Sequence, residues 1–104
     1  MYGPGTNLAH AGSIIFNSEC QIHYICSAIE FMINRNLKTM TVKADVEHEY
    51  QNRFDDRHKR MVWQHHNVSS WYQNSDGKVV TTSPWKLLEY WNWTNNFNED
   101  DYDF

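Results

Sequence analysis

The sequence predicts an α+β fold in a single unit of 104 residues: a long N-terminal helix, a short strand, a second helix, a β-hairpin and a short C-terminal helix. Three observations carry this prediction. Apolar residues recur at helical spacing over 13–35 and again beyond 45. β-Branched runs stand between and after these stretches, at 39–43 and 78–82. An Asp-Gly step at 76–77 lies between two short runs and supplies the positive-φ residue that a hairpin turn needs.

Residues 1–12 hold three of the four glycines and one of the two prolines, which reads as a turn-rich loop. From Ser13 to Arg35, Ile22, Ile25, Ile29 and Met32 follow steps of three, four and three, and Ile15, Cys26 and Ile33 widen the stripe. Two starts are open for this helix: Ser18 with Gln21 fits a capping box, and Ser13 fits a cap for an earlier start. Asn36 suits a left-handed stop. Thr39 to Lys43 reads as a strand. Asp45 offers an N-cap for a second helix of about four turns with a narrow stripe of Val46, Tyr50, Phe54 and Met61. Its charged residues, Asp55, Asp56, Arg57, Lys59 and Arg60, read as a solvated face, because adjacent carboxylates on a helix point in different directions.

Residues 68–72 and 78–82 flank the turn at 74–77 as hairpin strands. Ser83 followed by Pro84 marks the start of the last helix, with Trp85, Leu88 and Trp91 on one face. Trp71 and Trp91 are expected to be structural, since rings at such spacing usually pack. The end, 99–104, reads as a solvated acidic tail.

Composition narrows the possible functions. Only 40% of the residues are apolar and the mean hydropathy is −0.77, so the chain can build only a thin core, rich in its 16 aromatic rings. A partner surface is expected to complete it. The net charge of −4, with acids gathered at the end, argues against a nucleic-acid surface. No run of about 20 apolar residues occurs, which argues against a membrane span, and the start lacks the pattern of a secretory signal. A cytoplasmic protein is the expectation. Cys20 and Cys26, six apart on one helix, would lie about 9 Å apart along its axis, beyond disulfide reach. They read as free, buried thiols in preference to a reactive nucleophile. His58, His65 and His66 lack zinc-site spacing and read as surface residues, so no metal is expected. Gly3, Gly5 and Gly12 do not form a dinucleotide fingerprint. A helix opening after such a loop nonetheless presents backbone N–H groups and a positive dipole end, which suits a phosphate or the pyrimidine edge of a flavin.

Tyr2-Gly3-Pro4, Thr6-Asn7, His10, Ser13-Ile14-Ile15-Phe16, Glu19, Gln21 and Tyr24-Ile25, in that order, resemble the closing part of class B flavoprotein monooxygenases, especially the Baeyer–Villiger type. Trp63, Ser70-Trp71-Tyr72, Asp76-Gly77, Pro84 and Glu89-Tyr90-Trp91 extend the resemblance over nearly the whole chain. It implies a fragment of a larger FAD-dependent fold, in which the Gly-Pro step leaves the last strand of the FAD domain. It also implies that Asn7, His10, Ser13, Ile14 and Ile15 border the cofactor, with His10 toward the substrate side and backbone groups of 13–15 toward the flavin.

The family's cofactors are FAD and NADPH, and none of its three fingerprint motifs is present in these residues. The chain alone is therefore expected to hold no cofactor and to be inactive. Two function classes stay open: the C-terminal part of an FAD/NADPH-dependent monooxygenase, and a non-catalytic module that self-associates or binds a small ligand. The expected partner is the missing FAD- and NADPH-binding domains or a second copy of the chain.

Overall fold

The computed structural model describes residues 3–7, 12–65, 67 and 69–104. Among them the chain is α+β, with three α-helices and a two-stranded antiparallel sheet. Helix α1 spans Ile14–Asn34, strand β1 Thr41–Val42, helix α2 Ala44–His58, helix α3 Leu87–Thr94 and strand β2 Tyr102–Asp103. Short 3₁₀ turns lie at Val62–Gln64 and Glu99–Asp101.

Ser13 settles the start of α1: its side-chain oxygen accepts the Phe16 N–H at 3.2 Å. Ser18 lies inside the helix and donates to the Ile14 carbonyl at 2.8 Å. Asn36, at φ +54°, ends it as expected. The buried side of α1 differs from the expected one. It carries Asn17, Cys20, Gln21 and Ala28, whereas Ile22, Ile25, Ile29 and Ile33 are exposed. The apolar stripe thus faces away from the rest of this chain. Cys20 is buried as expected, but Cys26 is exposed, on the same outward side.

Helix α2 starts one residue before Asp45, which falls in its first turn with Glu47. Only part of the expected stripe is buried. Phe54 is, and His58, one turn on, extends the buried side in place of Met61.

The expected hairpin shrinks to its turn. Asn74 N–H donates to Lys78 O at 2.8 Å, Gly77 takes φ +76°, and one antiparallel bridge joins Gln73 to Val79. The far side pairs elsewhere: Gly5 N–H donates to Val80 O at 2.8 Å, Asn7 N–H to Thr81 O at 3.0 Å, and Ser83 N–H to Asn7 O at 2.8 Å. This parallel seam draws Ser83 and Pro84 away from helical geometry. Helix α3 therefore begins at Leu87, where Glu89 accepts the Lys86 N–H at 3.1 Å. Leu88 and Trp91 are exposed, and Trp85, which precedes the helix, is the ring that is buried.

The acidic end is folded, not a solvated tail. Glu99 pairs with Arg35 at 3.4 Å, Lys43 N–H donates to Asp101 O at 2.9 Å, and Val42 and Thr41 pair with Tyr102 and Asp103. Tyr102 stacks on Phe97, and Phe104 meets Phe31 with ring centroids 5.3 Å apart. Helix α1 packs on α3 beside this cluster.

The buried apolar side chains are few: Cys20, Ala28, Phe54, Val79 and Trp85 among the described residues. The body measures 51 × 29 × 19 Å, with a radius of gyration of 15.3 Å. A compact domain of this length has about 13 Å. The molecule is therefore elongated, as a segment laid along a larger body would be.

Candidate functional site

The residues expected near a cofactor lie where the first segment meets α1. Asn7 is exposed, with its backbone locked on both sides by Thr81 and Ser83. Asn17, 2% exposed, donates from Nδ2 to Thr6 O at 3.3 Å and so ties this segment to the first turns of α1. Thr6, the residue before Asn7, is thereby tied to the helix that Ser13, Ile14 and Ile15 open, and His10 lies outside the described residues.

Ser13 is committed to capping. Its carbonyl accepts the Asn17 N–H at 3.1 Å, and its hydroxyl serves Phe16. The Ile15 N–H is left without a partner among the described residues, at the positive end of a 21-residue helix. Ile14, Ile15 and Phe16 are exposed around it, Ile15 at 68%. A backbone donor among exposed apolar side chains can chemically meet an acceptor edge of a flat ring.

A cleft of about 630 Å³ lies between α2, α3, the residues around β2 and Tyr24 of α1. Tyr24, Tyr50, Tyr90, Trp93 and Tyr102 wall it. Tyr24 and Tyr102 share a hydrogen bond between their hydroxyls at 2.9 Å; burial, and then this bond, push the Tyr24 hydroxyl far above its usual range. Tyr50 is also raised by burial, although its hydroxyl accepts the Trp85 indole N–H at 3.0 Å. Both phenols stay neutral. The sequence reading missed this cleft because its walls come from positions 24 to 102.

It also missed the role of His58, taken for a surface residue. His58 is buried: Nε2–H donates to Thr82 O at 2.9 Å and Nδ1 accepts the Trp63 indole N–H at 3.3 Å, which fixes one neutral tautomer. Burial lowers its pKa from 6.5, opposed by the Thr82 bond and by Asp55. His65 is exposed as expected, and His66 lies outside the described residues. Trp71 is 92% exposed, so the structural role expected of it is overturned; Trp91 is also more exposed than a core ring. Among the described residues, no group of three or more His, Cys, Asp or Glu side chains converges on a metal-sized point. No described helix is long and apolar enough to cross a membrane.

Comparison with known proteins finds relatives among proteins named as monooxygenases. The chain is similar to an uncharacterized monooxygenase of Sinorhizobium fredii, y4iD, with 37% identity over 102 residues, 98% of this chain and 15% of that protein. It is also similar to a Baeyer–Villiger monooxygenase of Pseudomonas aeruginosa, with 35% identity over 72 residues, 69% of this chain and 14% of that protein. The chain is therefore a homologue of one segment of larger monooxygenases, as the motifs at 2–25 and 63–91 lead one to expect. It spans about one-seventh of the length of these relatives. No family model and no solved structure matches it.

Proposed function

We propose that the chain is the C-terminal part of an FAD- and NADPH-dependent, Baeyer–Villiger-like monooxygenase of the cytoplasm, inactive without the cofactor-binding domains. The outward apolar stripe of α1 carries the reading: Ile22, Ile25, Ile29 and Ile33 stand exposed on a chain that resembles a segment of proteins several times its size. A contiguous exposed row of this kind marks an interaction surface. Covered by the FAD domain, it becomes a seam.

In that setting Asn7, His10 and the first turn at Ser13, Ile14 and Ile15 border the cofactor. The flavin would supply the oxygen-activating chemistry. This chain would supply the Ile15 N–H and the helix dipole toward the ring edge, and apolar side chains that keep water from it.

The test is a chimera in which residues 1–104 replace the matched segment of the Sinorhizobium fredii relative. Flavin retention and NADPH oxidation comparable with the parent support the reading. A folded chimera that retains no flavin overturns it, as does an isolated 104-residue chain that binds FAD stoichiometrically.

The same exposed stripe favours a second reading, a non-catalytic module that pairs with its own copy. Light scattering that gives a stable dimer, together with a chimera that cannot hold flavin, would move the assignment there.

A further inference from the structure

The chain has four arginines, and three of them gather at one place. Arg53, Arg57 and Arg60, with Asp56 and Trp85, line a surface hollow of about 240 Å³ along the last turns of α2. Their spacing of four and three residues puts them on one side of the helix and the turn that follows it. Two are held in place by aromatic rings. The Arg53 guanidinium carbon lies 5.0 Å from the Trp93 ring centroid and 5.9 Å from that of Trp85, and the Arg57 carbon lies 5.3 Å from the Trp85 centroid.

Their charges are unevenly compensated. Arg57 forms an ion pair with Glu89, whose carboxyl burial would raise but which the Lys86 N–H and the Arg57 charge hold below its usual range. Asp56 is engaged by Lys59 at 3.3 Å. No carboxylate pairs with Arg53 or Arg60 among the described residues. Two guanidinium groups therefore converge without a counter-ion, in a chain whose net charge is −4. The negative end of the α2 dipole accounts for cations in its last turn, such as Arg57, but Arg53 stands a full turn earlier.

We propose that this hollow binds the phosphate group of a small phosphomonoester or free phosphate. A phosphate monoester brings about two negative charges and three acceptor oxygens, which matches two uncompensated planar forks with Arg57 beside them. A carboxylate would neutralise only one fork. The rings that fix Arg53 and Arg57 reduce the ordering that binding would otherwise require.

The test follows the Trp indole N–H signals of the 104-residue chain by NMR during titration at constant ionic strength, with inorganic phosphate, with adenosine 5′-monophosphate and with chloride. Saturation with a phosphate probe at a Kd of about 1 mM or tighter is expected, with no matching response to chloride. R60Q removes an exposed fork and should weaken binding about tenfold; R53K keeps the charge but loses the fork, and should weaken it by less than that. The two phosphate probes separate the sources: a nucleotide that binds about tenfold more tightly than phosphate identifies a nucleotide ligand, and equal binding identifies phosphate itself. Absence of saturation by about 10 mM, an equal chloride response, or unchanged binding by folded R60Q would overturn the proposal.

Discussion

The surroundings of Phe54 and the outer side of α1 are both built from apolar residues at helical or strand spacing, yet their fates differ. Phe54, Val79 and Trp85 are buried, and their neighbours His58 and Tyr50 satisfy their polar atoms within the chain. Ile29 is 51% exposed and Ile33 71%. The first region is complete in itself. The second is half of an interface, so an apolar stripe says that something covers a helix face without saying that the same chain does so.

Perturbing the completed region should have the largest effect. Phe54→Ala removes the ring that meets Gly5, Tyr50, His58 and Trp85, and is expected to cost about 3–5 kcal/mol, enough to unfold a marginal unit. Denaturant melts followed by circular dichroism would read this directly. A midpoint unchanged from wild type would mean that Phe54 does not organise the core.

Gly5→Ala comes next. Gly5 has φ +71°, and a Cβ there would sit 2.7 Å from Phe54 Cε2, so backbone strain and overlap add to about 1–3 kcal/mol. Gly77→Ala serves as its control: φ is +76°, but the added carbon meets open space, and about 1 kcal/mol is expected. Equal losses at the two sites would show that the overlap with Phe54 has no weight.

A smaller effect follows from His58. Its folded-state pKa lies below the unfolded value of 6.5, so between the two the unfolded chain binds more protons. Its contribution to stability is full above pH 6.5 and is lost as the pH falls through the depressed value. Protonation of Nδ1 would also remove the acceptor for the Trp63 indole. His58→Gln should flatten this part of the profile in melts taken between pH 5 and 8, a window set by about the usual histidine range.

The smallest changes are expected on the unfinished face of α1 and at the exposed Trp71. Ile29→Glu and Trp71→Ala should each alter the stability of the isolated chain by less than about 0.5 kcal/mol. Ile29→Glu should nevertheless prevent the chimera from assembling. A large loss of stability in the isolated chain would return the stripe to its core.

The parts of the fold that local chemistry decides were legible. Asn36 as a stop and the Asp76-Gly77 turn each depend on residues within a few positions, and Ser13 was one of the two starts open for α1. The seam between 5–7 and 80–83 was not legible, because parallel pairing across more than 70 residues leaves no local mark, and it shortened both the hairpin and α3. Which side of α1 packs depends on α3, and no periodicity in α1 alone encodes it. One signal was available at the acidic end: Asp101, Tyr102, Asp103 and Phe104 alternate with the period of a strand, and charge count drew attention away from it. At the candidate site, the motifs draw attention to Asn7, His10 and 13–15, whereas the arginine hollow was visible only as a charged helix surface until Trp85 and Trp93 closed on it.

The pairing of Thr41 with Asp103 has a consequence for the order in which the chain assembles. Two residues on each side close a loop of 62 residues, and the chain entropy of closing a loop that long costs about 4 kcal/mol. So few backbone bonds cannot meet that cost before α1 and the aromatic residues at 97–104 have come together. The sheet is thus the last structure to form and the first to open. On a ribosome, residues 102–103 emerge after everything they must pair with, so the strand seals a body already in place instead of nucleating one. Amide exchange should accordingly be fastest in this sheet among the hydrogen-bonded elements, and slower through the middle of α1.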